Sequence, residues 1–168
     1  VEEGSGVCLN IGSGRIKWPG WIGVDLDPHA DIQADIKSLP FADDYADYLA
    51  AIHVIEHFYK WEALDVLKEW RRVLKPGGTI ILELPCMDKV FYYIQQCMNQ
   101  GLWMSPTFST FPLWGDPKYE NVAMCHKWGY MARDMISLLQ DAGFQNVQVM
   151  KPNYHFPDRD MRLEAVKC

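Results

Sequence analysis

Apolar positions along the chain fall into short runs punctuated by glycine, proline and acids, and into segments where they recur at the helical period. Gly6-Val-Cys-Leu-Asn-Ile11 closes on Gly12-Ser13-Gly14, and Trp21-Ile-Gly-Val-Asp25 ends in an acid; both read as buried strands that finish in loops. Between them, Arg15-Ile-Lys-Trp-Pro-Gly20 is too short for a helix and carries its own stop, so the crossover helix expected there is absent or reduced to a turn. A brief strand covers Ile32 to Asp35, and after the turn Pro40-Phe-Ala-Asp-Asp44 another runs from Tyr48 to His53. Trp61, Leu64, Leu67, Trp70 or Arg71, and Leu74 recur near a period of about 3.6, which predicts a helix from Lys60 to Leu74 ended by Pro76-Gly77-Gly78. Thr79 to Leu84 then reads as a buried strand stopped by Pro85, and Asp88 caps a helix through Gln100. Met131, Met135, Leu138, Leu139 and Ala142 predict a further helix before Gly143, followed by strands at Phe144 to Met150 and Met161 to Lys167. Residues 101–128, rich in Trp, Pro, Phe and Gly, have no clean period and read as a long loop or lid. This alternation predicts an α/β protein, a single doubly wound Rossmann-like domain over residues 1–168. Its seven-stranded sheet is mostly parallel with an antiparallel last strand, the first helix is reduced or absent, and the ligand sits beyond the C-terminal strand ends.

Composition narrows the picture. At 168 residues, 49% hydrophobic and 23% charged, the chain has the make-up of one ordinary globular domain. Its 7 Trp, 8 Tyr and 7 Phe exceed what a minimal core needs, so some are expected to line a pocket. Trp103, Phe108, Phe111, Trp114, Tyr119 and Trp128 concentrate in the lid, where they are expected to wall the acceptor site. The net charge is -6, and Asp25, Asp27, Asp31, Asp35, Asp43, Asp44 and Asp47 face only Lys37 in that stretch; a nucleic-acid partner is therefore not expected. Five cysteines without a C-x-x-C pair suggest neither a disulfide framework nor a thiolate zinc site, and a cytoplasmic location is expected. No basic start followed by an apolar run resembles a signal peptide, and no apolar stretch approaches about 18 residues, so no membrane association is expected.

Gly12-x-Gly14 after a strand lets a ligand approach the backbone closely. A dinucleotide fingerprint would need a third small residue at position 17, which is Lys, and a following helix, which Pro19 prevents; NAD-dependent oxidoreduction is accordingly disfavoured. The phosphate-binding G-x-x-x-x-G-K-S/T pattern is missing as well. A nucleoside without phosphates fits better, its ribose hydroxyls taken by Asp25, which stands 13 residues after Gly12 in place of the dinucleotide spacing of about 20. The plainer alternative is that Asp25 caps a turn with Asp27 and Pro28.

The segments LNIGSG, GVDLDP, ADIKSLPFADDYADYLAAIHVIEHF, EWRRVLKPGGTIILELP and LLQDAGF, in this order, resemble the successive motifs of class I S-adenosylmethionine-dependent methyltransferases, in particular compact type 11-like domains. The resemblance runs from about residue 7 to residue 150. It implies S-adenosyl-L-methionine as cofactor, with Gly12, Ser13 and Gly14 passing its methionine and ribose portion and Asp25 taking the ribose hydroxyls beside Leu26. It further implies that Asp35 and the backbone of Ile36 read the adenine edge, and that His53 lies under the methionyl end. Asn10 stands where many members carry an acid or another polar residue, and is expected to meet the methionyl ammonium or organise the loop.

His53-Val-Ile-Glu56-His57 matches H-x-x-E-H, which on a helix is a zinc-protease pattern; here the first His ends a strand, so the residues do not share a helical face. In some related O-methyltransferases an E-x-x-E-H segment at this place holds a divalent metal. With His in the first position a metal stays open as the alternative, and the favoured expectation is none, with Glu56 and His57 supporting the turn before the Lys60 helix. His53 and His126 are the candidate catalytic bases, since an unperturbed imidazole pKa of about 6.5 suits proton removal from an oxygen nucleophile. The reading is methyl transfer to a small-molecule acceptor by a monomer or homodimer. The rival in another class is an inactive cofactor-binding domain that serves a partner protein.

Overall fold

The computed structural model describes residues 6–102, 110–116 and 118–168. Four apolar runs become the parallel strands β1 (Cys8–Ile11), β2 (Ile22–Asp25), β3 (Ile32–Gln33) and β4 (Ala46–Ile52). Helix α1 (Lys60–Val73) leads into β5 (Leu74–Pro85), after which come α2 (Met87–Asn99), the single turn α3 (Phe111–Trp114) and α4 (Ala132–Asp141). Strands β6 (Phe144–Met150) and β7 (Asp160–Lys167) close the sheet, whose order is β3-β2-β1-β4-β5-β7-β6. β7 runs antiparallel to both β5 and β6, and the other neighbours pair in parallel. The order reverses after β1, so the C-terminal ends of β1 and β4 flank the crevice where such sheets bind ligands.

Alternation along the strands divides the sheet into two faces. Leu9, Ile11, Leu49, Ala51, Ile80, Leu82 and Leu84 pack with Leu67, Trp70, Met135 and Leu139 of α1 and α4 into the main core. The buried stripe of α1 is Ala63, Val66, Leu67, Trp70 and Val73. It is rotated from the predicted one: Trp61 faces solvent and stacks on Tyr59 at 4.5 Å, because the smaller Ala63 and Val66 fit the sheet more closely. Trp70 donates its indole N–H to the Ile36 carbonyl at 2.8 Å, fastening the turn after β3 to the core.

Three features depart from the sequence reading. Pro76-Gly77-Gly78 is a bend inside β5, not a loop before it: Gly77 has a φ of +81°, and a Cβ at Gly78 would come within 2.8 Å of the Lys75 carbonyl oxygen. The acidic run is not an unopposed field. Asp27 meets Arg15, Asp31 meets Lys17, Asp43 meets Arg72, Asp44 meets Lys167 and Asp47 meets Lys75, so five of the seven acids are paired through the fold, while Asp25 and Asp35 accept backbone N–H groups. The lid aromatics among the described residues are largely open to solvent, and Trp128 borders a cavity with Lys60, Trp61, Leu64 and Tyr130. Phe111, Trp114, Tyr119 and Trp128 are exposed, Trp114 to 69%, while Trp103 and Phe108 lie outside the described residues.

The crossover between β1 and β2 contains no helix, as its sequence predicts. Two turns shape it, Ile16 N–H donating to Ser13 O at 2.9 Å and Trp21 N–H to Trp18 O at 3.1 Å, and its pairs to Asp27 and Asp31 hold it to the next loop. Among the described residues no helix is long and apolar enough to cross a membrane.

Candidate functional site

The first half of the site is the loop that leaves β1. Gly12 N–H donates to Val24 O at 2.8 Å, which ties the loop to β2, and the residue holds a φ of +69°. A Cβ there would come within 2.5 Å of Val54, so both the backbone and the packing call for glycine. Gly14, at φ +52°, has nothing within 4 Å of the place of its Cβ and leaves the loop open to a ligand. Ser13 is turned inward: it is buried, and a Cβ on Gly23 would meet its Oγ at 2.7 Å, which leaves its backbone as the part facing the crevice. Asn10 is buried in β1, with Gly23 and Ala50 as neighbours in register, on the face opposite Leu9 and Ile11.

Asp25 ends β2 and serves as a turn anchor. Its Oδ2 accepts the Gly14 N–H and its Oδ1 the Asp27 N–H, each at 2.9 Å. Every carboxylate oxygen has two acceptor lone pairs, so the same group retains capacity for two hydroxyls. Leu26 beside it is exposed, and Gln33 fixes the backbone there by donating to the Leu26 carbonyl at 2.9 Å. Asp35 Oδ1 accepts the Lys37 N–H at 2.9 Å in a tight turn, and the Ile36 carbonyl in that turn is engaged by Trp70. The cofactor-side candidates thus sit on consecutive loops at one edge of the sheet, and the Asp25 turn links two of those loops directly.

The second half is built around His53. It ends β4 in the left-handed region, at φ +55°, with its N–H bonded to Glu83 O at 2.7 Å. A non-glycine residue held there marks a position that the surroundings over-determine. Its Nδ1 lies 2.9 Å from Glu56 Oε1 and its Nε2 3.5 Å from Asp160 Oδ2. Burial opposes charge on this ring, but the Asp160 and Glu56 carboxylates outweigh it and push the pKa up to about 9. Burial would likewise raise Glu56, and the His53 ring outweighs that and holds it low. Asp160, for the same reasons and with Arg159 at 2.7 Å, is pulled down to about 2. Both nitrogens of His53 therefore face carboxylates, which does not suit the expected role of general base.

His126 reaches the same place from the chain between α3 and α4. Its Nδ1 bonds Pro112 O at 3.0 Å and its Nε2 lies 4.0 Å from Glu56 Oε1; burial, ahead of the Glu56 charge, keeps its pKa low. Lys127 N–H and Trp128 N–H donate to Glu56 O at 2.8 Å and 3.2 Å, so the segment is hooked to this residue through the main chain too. Expected to support the turn before α1, the side chain of His57 instead bonds Cys125 O through its Nδ1 at 3.1 Å, and Glu56 faces His53.

The sequence reading missed the connection between β6 and β7, which it took as a plain link. Glu83, fully buried in β5, accepts N–H bonds from Asn153 at 2.7 Å and Tyr154 at 3.0 Å and pairs with Arg162 at 2.9 Å. Asp160 accepts the Phe156 N–H at 3.2 Å. Thus fastened, the loop lays His155 against His53, ring centroids 4.1 Å apart, and stacks Tyr154 on Trp18 at 4.7 Å. A glutamate inside the apolar run Ile80 to Leu84 was the available signal, since a charge in a buried strand implies a partner.

A doubly wound sheet with a glycine turn after its first strand and a carboxylate ending its second is an α/β arrangement with room for a ligand at that end. Residues 20–82 match the family described as methyltransferase domain. A SAM-dependent methyltransferase of Thermotoga maritima superimposes with a TM-score of 0.64 at 16% identity, covering 99% of this chain and 84% of that one. One from Methanosarcina mazei gives 0.65 at 18%, covering 96% and 92%. The demethylmenaquinone methyltransferases of Bacillus velezensis and Bacillus subtilis are 25% and 24% identical over 140 residues, 83% of this chain. The chain spans 57% of the length of these two relatives. The fold is the one these S-adenosylmethionine-dependent methyltransferases have, and the methyltransferase-domain match falls on its β2 to β5 portion.

Proposed function

We propose that this chain transfers a methyl group from S-adenosylmethionine to a small-molecule acceptor. The observation that carries the reading is the Asp25 turn: a carboxylate at the end of β2, oriented by Gly14 and Asp27 N–H groups, with lone pairs left for the two ribose hydroxyls and an exposed Leu26 alongside for the base. The open side of Gly14 leaves room for the nucleoside to lie against the loop. These residues fit the cofactor that the family uses, which when bound supplies an already activated methyl group.

The protein's own part is placement. The crevice is bounded by His53 at the end of β4 and by the Tyr154-His155 loop above it, which hold the acceptor and exclude water. Because the nitrogens of His53 are engaged by Glu56 and Asp160, the reading favours acceptors that arrive as competent nucleophiles over those that need a strong base. The demethylmenaquinone methyltransferases among the relatives are consistent with a small organic acceptor.

Calorimetry with S-adenosylmethionine, S-adenosylhomocysteine and NAD tests the cofactor half; preferential NAD binding would overturn it. Methyl transfer from labelled cofactor into a metabolite extract tests the rest. Cofactor binding without turnover on any acceptor would make the chain a cofactor-binding module instead.

A further inference from the structure

We propose that His53, Glu56 and His126 hold one divalent transition-metal ion of borderline softness, of which zinc is the type. One donor atom from each of the three residues lies within 4.8 Å of the others. Glu56 is 2% exposed, and neither of its carboxylate oxygens has a hydrogen-bond partner among the described residues; its 2.9 Å approach to His53 Nδ1 lacks the alignment of a hydrogen bond. A carboxylate so deeply buried and so poorly satisfied calls for a cation.

The groups behind the two imidazoles point the same way. The Pro112 carbonyl can only accept, so His126 carries its proton on Nδ1 and turns an Nε2 lone pair toward Glu56 Oε1, 4.0 Å away. Two electron-rich atoms thus face each other across a gap of cation size. On His53, Asp160 stands behind Nε2 at 3.5 Å and is itself held by Arg159 and the Phe156 N–H. A carboxylate or carbonyl on the far nitrogen is what orients a metal-bound histidine and sets its tautomer, leaving Nδ1 of His53 as the donor.

The dimensions are compatible with this. Metal bonds of about 2.0 to 2.2 Å place neighbouring ligands of a tetrahedral ion roughly 3.3 Å apart. The Glu56 contacts of 2.9 Å and 4.0 Å bracket that value, and the widest separation, within 4.8 Å, closes with a shift of His126 of about 1.5 Å. Two imidazoles and one carboxylate favour zinc, iron(II) or cobalt(II) over magnesium and calcium, which prefer oxygen, and over copper(I), which prefers sulfur. On entry the ion displaces the proton carried on His53 Nδ1, which leaves to solvent. The Tyr130 hydroxyl, buried and without a hydrogen-bond partner among the described residues, is available to a water on the ion's open side. The local H-x-x-E-H pattern is not the ligand set, because His57 is turned to the Cys125 carbonyl and its place is taken by His126 from far along the chain. Such an ion would clasp the segment carrying His126 to the end of β4, whether or not the chain transfers methyl groups.

The test is calorimetric titration of the chelator-stripped full chain with zinc alone, and visible absorption with cobalt(II). One equivalent should bind, His126→Ala and Glu56→Gln should each weaken it at least about tenfold, and Asp160→Asn by about 10- to 100-fold. His57→Ala and the distant His29→Ala should stay within about threefold of the parent. The zinc-loaded protein should melt at higher temperature, and His126→Ala should lose that rise while keeping the parent's circular dichroism. No saturable zinc binding, undiminished binding in His126→Ala, a loss in His57→Ala as large as in His126→Ala, or a thiolate charge-transfer band in the cobalt spectrum would each overturn the site. If Glu56→Gln does not fold, the comparison of His126→Ala with His57→Ala decides alone.

Discussion

Glu83→Gln should be among the most damaging single-atom changes the fold can suffer, although residue 83 touches neither candidate half of the site through a reacting group. The glutamate is fully buried and receives three donors: Asn153 N–H at 2.7 Å and Arg162 Nη1 at 2.9 Å on Oε1, and Tyr154 N–H at 3.0 Å on Oε2. Glutamine keeps one acceptor oxygen. If that oxygen serves Asn153 and Arg162, the new amide turns its own N–H groups toward the Tyr154 N–H, and Arg162 loses a buried counter-charge. Breaking a buried pair costs about 3 to 5 kcal/mol when nothing replaces the partner. Here Glu164 still reaches Arg162 at 2.6 Å, so the loss should fall near the lower bound, about 3 kcal/mol. For a chain of this size that corresponds to a fall in Tm of about 6 to 12 °C. Thermal melts followed by circular dichroism measure it, and the fluorescence of Trp18, stacked on Tyr154, reports whether the loop has come away before the global transition. Glu164→Gln, at a partly exposed carboxylate, is the control and should cost below about 1 kcal/mol. A Glu83→Gln protein whose Tm falls by no more than that of the control would refute the idea that Glu83 fastens the loop.

Asp25→Asn should weaken S-adenosylhomocysteine binding about ten- to hundredfold, the worth of a charged hydrogen bond, and should also lower stability by about 1 kcal/mol, because an amide nitrogen cannot accept both the Gly14 and Asp27 N–H groups. Calorimetry beside urea unfolding separates the two, and an affinity within about threefold of the parent would remove Asp25 from the ribose site. Gly12→Ala should cost about 2 to 4 kcal/mol, combining a left-handed backbone with a Cβ 2.5 Å from Val54. Gly14→Ala, equally left-handed but uncrowded, should cost about 1 kcal/mol in urea unfolding and act mainly on cofactor affinity; equal stability losses in the two variants would contradict this division.

What could be read in the chain was what short stretches decide on their own. The apolar runs gave the strands to within a few residues, Pro19 and Lys17 denied the first helix and the dinucleotide fingerprint, and Asp25 followed its glycine turn closely enough to be recognised. The buried side of α1 shares Leu67 and Trp70 with the predicted stripe but excludes the large Trp61, because the sheet selects the side of a helix that packs closely, the one with Ala63 and Val66. The acidic stretch misled for a different reason. Its partners Arg72, Lys75 and Lys167 come from α1, β5 and β7, and no local window contains them.

The same distance effect explains why the candidate site was legible in part. The Asp25 side is assembled from adjacent loops, but the His53 side depends on register: the antiparallel pairing of β5 with β7 sets Glu83 opposite Arg162 and Pro85 opposite Asp160. Sliding that pairing by one residue would turn Arg162 and Asp160 to the other side of the sheet, leaving Glu83 buried without its cation and His53 without a carboxylate. The register is therefore a condition of the site as well as of the fold. It also joins the two halves, because the loop that Glu83 and Asp160 fasten is the one that stacks Tyr154 on Trp18 of the helix-free crossover. The helix-free first crossover is steadied by ion pairs to Asp27 and Asp31 and by one aromatic stack from the loop between the last two strands.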